Sequence, residues 1–568
     1  MSAFLKKLKN SHAVLMFAWL AFLELAVFGR TFRNTGFYLD DWTMLGYLHF
    51  APQDIFAKIA YYFFIDGRVA MRPVEALQFP LMQACFGVEP FGYHFTYAFF
   101  EVLAIFFFYL LLVRLFGIRG LAFIAASLAL LDPRHDTTHY WVMCNSVSLS
   151  LFFSTFSLWL ADLSTSVKRR SRLLVFLSWL SFTAGIFNYE LFLPFAAFNA
   201  LILAKSAPNI GARFKSFFLA GFFFALPVLA FVVYQKIFIP MFVQPLVHVP
   251  VFDIAEIAST LVDGLNIQLG PKLFSEIGQR IWLEGYLSSL STLLPMMGLG
   301  LIFAALSFLV LRDETQAESF VQAKKTYLRA ILVGLIAILC SYSIFGLNKE
   351  YHPLIESIFN RVNTGGGLGG SLVLSGLVCY LTVILREVFL KRGNSLLAKL
   401  STVLPAGFLF ILTSFYCLAD LVTAKQWQVS WLLQRTVIET LLQNKASFSK
   451  QSSIFLVGCP RYVNWAPIYD GVWDFGMMCQ MMLNSRDVKG GVVCDRLALS
   501  KEKIQDISKG FTVETYRFPD VFILHTYRHE VKKVPDVASF LQYLEDGGLL
   551  GKFLDKDLLE AWKKQVSH

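Results

Sequence analysis

Two adjacent carboxylates, Asp40 and Asp41, follow the first apolar stretch of the chain, where it would leave a membrane. A carboxylate at such a boundary can take a proton from an attacking hydroxyl, or hold a divalent cation through its oxygens. Ionisable side chains at this depth are costly to desolvate and are usually kept for a reason. The alternative is a pair of solvated acids that cap a helix beginning at Trp42.

Two arginines, Arg68 and Arg72, stand four residues apart downstream and would share one face of a helix. Their planar guanidinium groups match the oxygens of a phosphate. Asp66 is expected to orient Arg68, and Arg361, just before a later apolar stretch, is expected to bind a departing phosphate. Acids and arginines at one lipid–water boundary suit a reaction on a lipid-linked phosphate. For the arginines, contact with lipid headgroups is the alternative.

A polar loop between two apolar stretches carries His135, His139 and Trp141. The two histidines are four residues apart, so a metal site is one interpretation. Hydrogen bonding to substrate or to a carboxylate, and a structural role, are the others. Glu190 lies between two short apolar stretches, where a carboxylate is costly unless it is paired. We expect these four residues to bind or orient substrate.

Apolar stretches dominate the composition, since 56% of the 568 residues are hydrophobic and 16% are charged. Stretches of about 20 apolar residues recur, each long enough to cross the hydrocarbon core. This predicts a polytopic α-helical membrane protein whose first span stays as an anchor. Eleven spans are predicted, at 12–29, 91–113, 119–132, 142–162, 173–187, 190–204, 216–239, 286–311, 326–347, 366–390 and 401–424.

Basic residues cluster in alternate loops, which predicts a cytoplasmic N-terminus. They are Lys6, Lys7, Arg114, Arg119, Lys168, Arg169, Arg170, Arg172, Lys205, Arg213, Lys215, Arg386, Lys391 and Arg392. Every candidate residue above then lies on the extracytoplasmic side. We attribute the net charge of +10 to these basic residues in cytoplasmic loops, and we expect no nucleic-acid partner. A bacterial inner membrane is the expected location.

Composition changes after residue 424, which predicts two parts. Residues 1–424 would form the transmembrane domain, with a first extracytoplasmic loop at 30–90. Residues 425–568 would form a soluble, extracytoplasmic α/β domain. Its expected elements are helices at 425–449, 473–484 and 536–546 and strands at 452–458, 490–494 and 521–525. A disulfide is possible within one pair of Cys459, Cys479 and Cys494.

Three further segments, 54–64, 74–86 and 253–269, have apolar residues at helical spacing and predict helices that lie in the membrane interface. The glycines at 365–370 are not followed by the lysine of a phosphate-binding loop. They begin a predicted span, where small residues permit close packing of helices.

The order of these motifs resembles the GT-C superfamily of membrane glycosyltransferases. The resemblance rests on Asp40-Asp41 after the first span, Gly67-Arg68, Arg72-Pro73, Pro133-Arg134-His135 with Trp141, and Tyr189-Glu190 with Pro194. The last two elements look most like the protein O-mannosyltransferase branches and their bacterial relatives. Motifs cover about residues 1–200, and the rest matches by layout of spans only. The chain has Asn188-Tyr189 where the family usually has a lysine before the glutamate.

The resemblance implies about eleven or more spans and a catalytic aspartate in the first extracytoplasmic loop. It implies a sugar donor on a polyprenyl phosphate, an extracytoplasmic glycan, lipid or protein acceptor, and contact with membrane lipids. Asp40 is expected to be the general base, with Asp41 as a weaker candidate for that role. The one cofactor that these residues suggest is a divalent cation held by Asp40 and Asp41.

The expected mechanism is a single inverting displacement, in which Asp40 deprotonates the acceptor. Arg68, Arg72 and Arg361 would stabilise the departing polyprenyl phosphate. A transporter or flippase for lipid-linked or anionic glycans is the first alternative. It would place ionisable residues within spans, between repeated halves. A non-catalytic scaffold for envelope assembly is the second alternative.

Overall fold

A computed structural model describes most of the chain. It covers residues 12–167, 170–242, 253–285, 289–317, 320–347, 351–356, 358–508, 511–551 and 553–567. The basic residues Lys6, Lys7, Lys168 and Arg169 of the topology prediction lie outside the described residues.

Helices form the first three quarters of the chain. They are α1 (His12–Val27), α2 (Thr31–Asn34), α3 (Asp40–His49), α4 (Ile55–Ile65), α5 (Gly67–Ala70), α6 (Pro73–Phe86), α7 (Pro90–Phe116), α8 (Arg119–Leu130), α9 (Thr137–Tyr140), α10 (Asn145–Ser164), α11 (Ser171–Asn188), α12 (Phe195–Ala204), α13 (Ile210–Val233), α14 (Ile254–Leu269), α15 (Lys272–Leu283), α16 (Leu290–Ala317), α17 (Phe320–Ser343), α18 (Thr364–Lys391), α19 (Ser395–Leu400) and α20 (Val403–Gln443). Short 3₁₀ turns at Pro133–His135, Val142–Cys144, Glu190–Phe192 and Asn360–Asn363 connect some of them.

Eight helical segments within the described residues are long and apolar enough to cross a membrane. The other three predicted spans, at 12–29, 119–132 and 190–204, fall on the shorter apolar helices α1, α8 and α12. Each predicted span therefore coincides with a helix, and the class of polytopic α-helical membrane protein is confirmed. The number of eleven crossings stays a prediction, because three of these helices are short.

The glycines at 365–370 bring helices α17 and α18 into close contact. A Cβ on Gly369 would lie 2.7 Å from the carbonyl oxygen of Gly334 on the facing helix. A Cβ on Gly366 would lie 2.7 Å from the ring of Tyr342. Neither position accepts a side chain without a shift of the neighbouring helix, which confirms the predicted packing role of these glycines.

The first loop, residues 30–90, is folded into short helices. Helices α4 and α6 coincide with the predicted interfacial segments 54–64 and 74–86. The Asp54 carboxylate accepts the backbone N–H of Ala57 at 2.9 Å and so caps the start of α4. Phe56 leaves 78% of its surface exposed, which suits a helix lying against lipid.

Helix α20 is 41 residues long, about 60 Å. The predicted division at residues 424 and 425 falls inside this helix, and the segment predicted as a separate helix at 425–449 is its second half. The apolar stretch of a span and the mixed stretch beyond it share helical periodicity without a glycine or proline between them. Helix α20 therefore joins the membrane bundle to the α/β region without a break.

The α/β region contains strands β1 (Ser453–Val457), β2 (Tyr462–Val463), β3 (Ala466–Pro467), β4 (Lys489–Val492), β5 (Leu497–Leu499), β6 (Lys503–Ser508), β7 (Phe511–Arg517), β8 (Val521–His525) and β9 (Glu530–Val534), and helices α21 (Met477–Leu483), α22 (Val537–Asp546) and α23 (Lys556–Ser567). Its main sheet has the order β4-β1-β8-β9, with β1 parallel to β4 and β8. Strands β1, β4 and β8 confirm the three predicted strands. Strands β5 to β7 form a separate antiparallel sheet, which the sequence analysis missed because polar residues interrupt their apolar pattern.

All eight cysteines are free thiols, so the disulfide considered within Cys459, Cys479 and Cys494 is wrong. The three side chains are buried. Burial raises the pKa of the Cys459 thiol to about 12, which keeps it protonated and unreactive.

Candidate active site

Asp40 is the first residue of α3 and faces a cavity of about 440 Å³. We call it the Asp40 cavity; its walls are Leu39, Asp40, Arg68, Met71, Arg72, Trp141, Glu190, Gln235, Lys236, Tyr351, Ile358, Phe359, Arg361, Tyr462, Asp470 and Trp473. Leu39, the residue before the helix, has a φ of 47°, which is rare for a side chain of this type. Its burial holds this strained backbone in place. Six of the residues predicted from the sequence line this cavity: Asp40, Arg68, Arg72, Trp141, Glu190 and Arg361.

Asp41 points away from the cavity and is fully buried. Its Oδ1 accepts the backbone N–H of Met143 at 2.7 Å, and its Oδ2 accepts that of Tyr38 at 2.8 Å. Oδ2 thus closes the turn within the first loop, and Oδ1 joins that loop to the segment after Trp141. This geometry gives Asp41 a structural role.

Arg68 is the cation beside Asp40, with 3.7 Å between its Nη1 and Asp40 Oδ1. Asp66 fixes Arg68 through contacts of 2.8 Å to Nη2 and 3.2 Å to Nε. Burial raises the pKa of Asp40 above its ordinary value, although the charges of Arg68 and Arg361 act in the opposite direction. A raised pKa is what a carboxylate needs to act as a base near neutral pH.

Arg72 and Glu190 form a second ion pair, with N–O distances of 3.1 and 3.2 Å. The guanidinium of Arg72 also lies 4.1 Å above the ring of Tyr189. Burial would raise the pKa of Glu190, but the charge and hydrogen bonds of Arg72 together lower it. Glu75 lies 3.7 Å from Arg72, and burial raises its pKa to about 7.

Arg361 has neutral partners. Its Nε donates to the hydroxyl of Tyr189 at 3.2 Å and its Nη1 to the carbonyl of Ile358 at 2.8 Å. The guanidinium lies 5.1 Å from the ring centre of Trp141 and 5.2 Å from that of Phe359. Among the residues that the structure describes, no carboxylate lies within ion-pair distance of Arg361. The positive charge and the remaining N–H groups of Arg361 are therefore available to bind a ligand.

The loop 132–141 contributes Trp141 to the Asp40 cavity, but not its two histidines. The indole N–H of Trp141 donates to the carbonyl of Tyr38 at 3.0 Å. His135 and His139 are buried and do not line the cavity. His139 stacks on Phe28 with 3.9 Å between ring centres. Neither histidine lies where it could touch a ligand in the cavity.

Several residues of the cavity were missed by the sequence analysis. Gln235 and Lys236 interrupt the predicted span at 216–239, and this polar break was the available signal for them. Tyr462, Asp470 and Trp473 come from the segment that follows strand β1. The carboxyl end of a parallel strand is a common place for binding residues, but the sequence did not indicate that this edge faces the membrane domain.

A divalent cation does not fit Asp40 and Asp41. The oxygens of Asp41 accept backbone N–H groups, and Asp40 faces the positive charges of Arg68 and Arg361. A site for Mg²⁺ or Ca²⁺ requires several oxygen ligands turned toward one point. The two carboxylates provide only one side chain that faces the cavity.

No protein-family model and no curated protein matches the sequence. Among solved structures, the chain is similar to ArnT from Cupriavidus metallidurans in the apo state, with 12% identity and a TM-score of 0.35 over 95% of this chain and 92% of that one. The same protein bound to undecaprenyl phosphate aligns with 13% identity and a TM-score of 0.34 over 94% and 92%. The Archaeoglobus fulgidus oligosaccharyltransferase in complex with Zn and sulfate aligns with 15% identity and a TM-score of 0.33 over 83% and 61%. The chain is an integral membrane protein of the polytopic α-helical class with a C-terminal α/β region.

Proposed function

We propose that the protein is a membrane glycosyltransferase that moves a sugar from a polyprenyl-phosphate donor to an extracytoplasmic acceptor. One observation carries this proposal. Asp40, a carboxylate with a raised pKa, and Arg361, a guanidinium with neutral partners, line the same cavity beside the membrane bundle. A base for the attacking hydroxyl and a cation for the departing phosphate are the two groups that this reaction requires.

The reaction is a single displacement at the anomeric carbon. The acceptor oxygen forms a bond to that carbon while the bond to the phosphate oxygen breaks. Asp40 takes the proton of the acceptor hydroxyl, and the phosphate leaves with the bonding electron pair. Attack from the side opposite the phosphate inverts the configuration of the sugar.

Arg361 is the principal phosphate ligand in this proposal. Arg68 and Arg72 each already face a carboxylate, Asp66 and Glu190, at hydrogen-bond distance. Their charge is thus partly neutralised, and their main effect is on the field around the leaving group. Lys236 lines the same cavity, and no carboxylate of the described residues pairs with its ammonium group. It is the second cation available to a phosphate.

An apolar crevice beside helices α12 and α18 suits the prenyl chain. It is lined by Phe108, Leu111, Leu112, Leu115, Thr155, Leu158, Phe195, Phe198, Leu201, Ile202, Lys205, Val333, Ile336, Ala337, Leu368, Gly369 and Leu372. Arg361 stands just before α18, and Leu372 lies about 16 Å further along that helix. Several isoprene units would span this distance. A phosphate on Arg361 would therefore have an apolar path beside it for the lipid tail.

The acceptor side of the cavity is assigned to the C-terminal region. Tyr462 and Trp473 offer aromatic faces, and Asp470 offers a carboxylate. Arg461 and Arg496 bind Asp470 and hold it in place. A few fixed polar groups among aromatic side chains are typical of a pocket that binds and orients a small-molecule ligand. This supports a role of the C-terminal region in choosing the acceptor.

Release of free polyprenyl phosphate tests the proposed function. Purified wild-type, Asp40→Asn and Asp487→Asn proteins are each incubated with a panel of polyprenyl-phosphate sugars and a crude envelope extract as acceptor. Asp487 is exposed and does not line the cavity, so its variant is the control for loss of one carboxylate. We expect release by wild type and control, and a loss of about 100-fold or more for Asp40→Asn.

Full activity of Asp40→Asn would show that another group is the base. If no donor of the panel releases phosphate with wild type, the transferase proposal fails. Uptake of labelled lipid-linked glycan into vesicles containing the same protein then tests the transporter alternative.

A further inference from the structure

Three side chains of the types that ligate metals meet outside the Asp40 cavity. They are Glu101 of helix α7 and His135 and His139 of the loop before α10. One ligand atom from each lies within 4.8 Å of the other two. All three side chains are buried. Within the described part of the chain, no other group of three or more such residues lies this close together.

Polar atoms of this cluster lack partners. Both carboxylate oxygens of Glu101 and Nε2 of His139 are buried, with no hydrogen-bond partner among the described residues. The same holds for both oxygens of Glu24 on helix α1, one of which lies 3.7 Å from Nδ1 of His139. Buried polar atoms are nearly always paired, and a buried carboxylate is costly without a compensating charge. The cluster therefore requires a positive partner or bound protons.

We propose that Glu101, His135 and His139 bind a divalent transition-metal ion, for which zinc is the best match. Two histidines and one carboxylate form a well-known zinc ligand set, in which a water molecule takes the fourth position. The borderline-soft imidazole nitrogens favour such an ion over magnesium or calcium, which take mainly oxygen ligands. The two carboxylates of Glu101 and Glu24 would balance the charge of the ion in this buried position.

The surroundings hold the ligands in place. The His139 ring stacks on Phe28, at an interplanar angle of 4°. His135 Nδ1 lies 3.4 Å from the hydroxyl of Thr138, which leaves Nε2 to face the ion. Ligand atoms about 2.1 Å from a tetrahedral zinc stand about 3.4 Å apart, so binding would draw the three side chains, now within 4.8 Å, together by at most about 1.4 Å. Glu24 is placed to orient His139 as an outer partner.

The ion would have a structural role next to the Asp40 cavity. It would connect helix α7 to the loop that carries Trp141, two residues after His139. Trp141 lines the cavity and stands beside Arg361. Fixing this loop would thus fix one wall of the site without any contact between the ion and the substrate.

Metal content of the full-length protein tests this proposal. Protein purified in detergent is loaded with zinc alone, dialysed against a weak chelator and analysed by mass spectrometry for metal per chain. We expect about one zinc per chain in wild type and less than a fifth of that in Glu101→Gln and His139→Gln. His49→Gln is the control, because His49 is exposed and lies outside the cluster; it should keep the zinc of wild type.

Thermal unfolding provides a second readout. Zinc bound to the folded state raises the Tm, so a strong chelator should lower the Tm of wild type and leave that of Glu101→Gln unchanged. If the cluster instead holds protons, Glu101→Gln should have a higher Tm than wild type, and the chelator should change the Tm of neither protein. That result, or folded wild type without zinc, would overturn the proposal.

Should both variants fail to fold, cobalt can replace zinc in wild type. A four-coordinate site gives intense visible absorption that stoichiometric zinc abolishes. The weak spectrum of six-coordinate cobalt would indicate an adventitious surface ion and contradict the site.

Discussion

Arg72 and Glu190, 118 positions apart in the chain, form an ion pair with two N–O contacts on the wall of the Asp40 cavity. The pair continues into a chain of contacts, since Arg72 lies on the ring of Tyr189 and the hydroxyl of Tyr189 accepts from Arg361. Glu190 thereby positions Arg361 through two intermediate side chains. Its expected function is to hold the cationic wall in place.

Replacement of the Glu190 carboxylate should weaken donor binding. We expect Glu190→Gln to raise the KM for the donor about tenfold or more and to change kcat less, because the variant loosens Arg72 without removing the base. Steady-state kinetics with varied donor measure this split. Glu439→Gln, an exposed acid of helix α20, is the matched control. A fall in kcat alone would place Glu190 in the chemical step.

Loss of the Arg361 guanidinium should have a larger effect than loss of other arginines. We expect Arg361→Gln to reduce kcat/KM about 10- to 100-fold, the value of a hydrogen bond to a charged group. Arg361→Lys should retain only part of the wild-type kcat/KM, because an ammonium group cannot donate two parallel hydrogen bonds in the planar geometry of a guanidinium. Arg435→Gln, on the exposed face of α20, should retain wild-type activity. Equal activity of Arg361→Gln and wild type would exclude Arg361 as a phosphate ligand.

The position of Arg68 beside Asp40 predicts a change in pH dependence. The Arg68 charge favours the ionised form of Asp40 and opposes the effect of burial on its pKa. Removal of that charge in Arg68→Gln should raise the pKa of Asp40 further. The acidic limb of the profile of kcat/KM against pH should then move to higher pH. Arg68→Lys keeps the charge and should leave the limb close to that of wild type, whereas an equal shift in both variants would contradict this cause.

Glu75 should make stability depend on pH near neutrality. Burial raises its pKa to about 7 in the folded protein, from an ordinary value of 4.5. The folded state therefore binds the Glu75 proton more tightly than the unfolded state. Its contribution to stability is complete below pH 4.5 and is lost as pH rises through 7. We expect Glu75→Gln to have a higher Tm than wild type at pH 8 and a similar Tm at pH 4.

The sequence predicted the membrane class, the eleven helical segments and the three apolar strands of the main sheet, because these depend on local hydrophobic pattern. It also selected six residues that line one cavity. It ranked Asp40 above Asp41 only through the family resemblance, since the fold alone determines which carboxylate accepts two backbone N–H groups. Likewise, Asp470 and Trp473 reach the cavity through contacts between segments that are far apart in the chain. The hydrophobic periodicity of the sequence does not predict such contacts.

The apolar crevice predicts a dependence on the length of the prenyl chain. Leu201 and Ile336 line it and expose 51% and 40% of their surfaces, so tryptophan at either position should be accommodated without loss of folding. We expect Leu201→Trp and Ile336→Trp to raise the KM for a long polyprenyl-phosphate sugar several-fold and to leave that for a short-chain analogue unchanged. Leu219→Trp, on an exposed membrane helix outside the crevice, should behave as wild type with both donors. Equal effects on long and short donors would show that the tail follows another path.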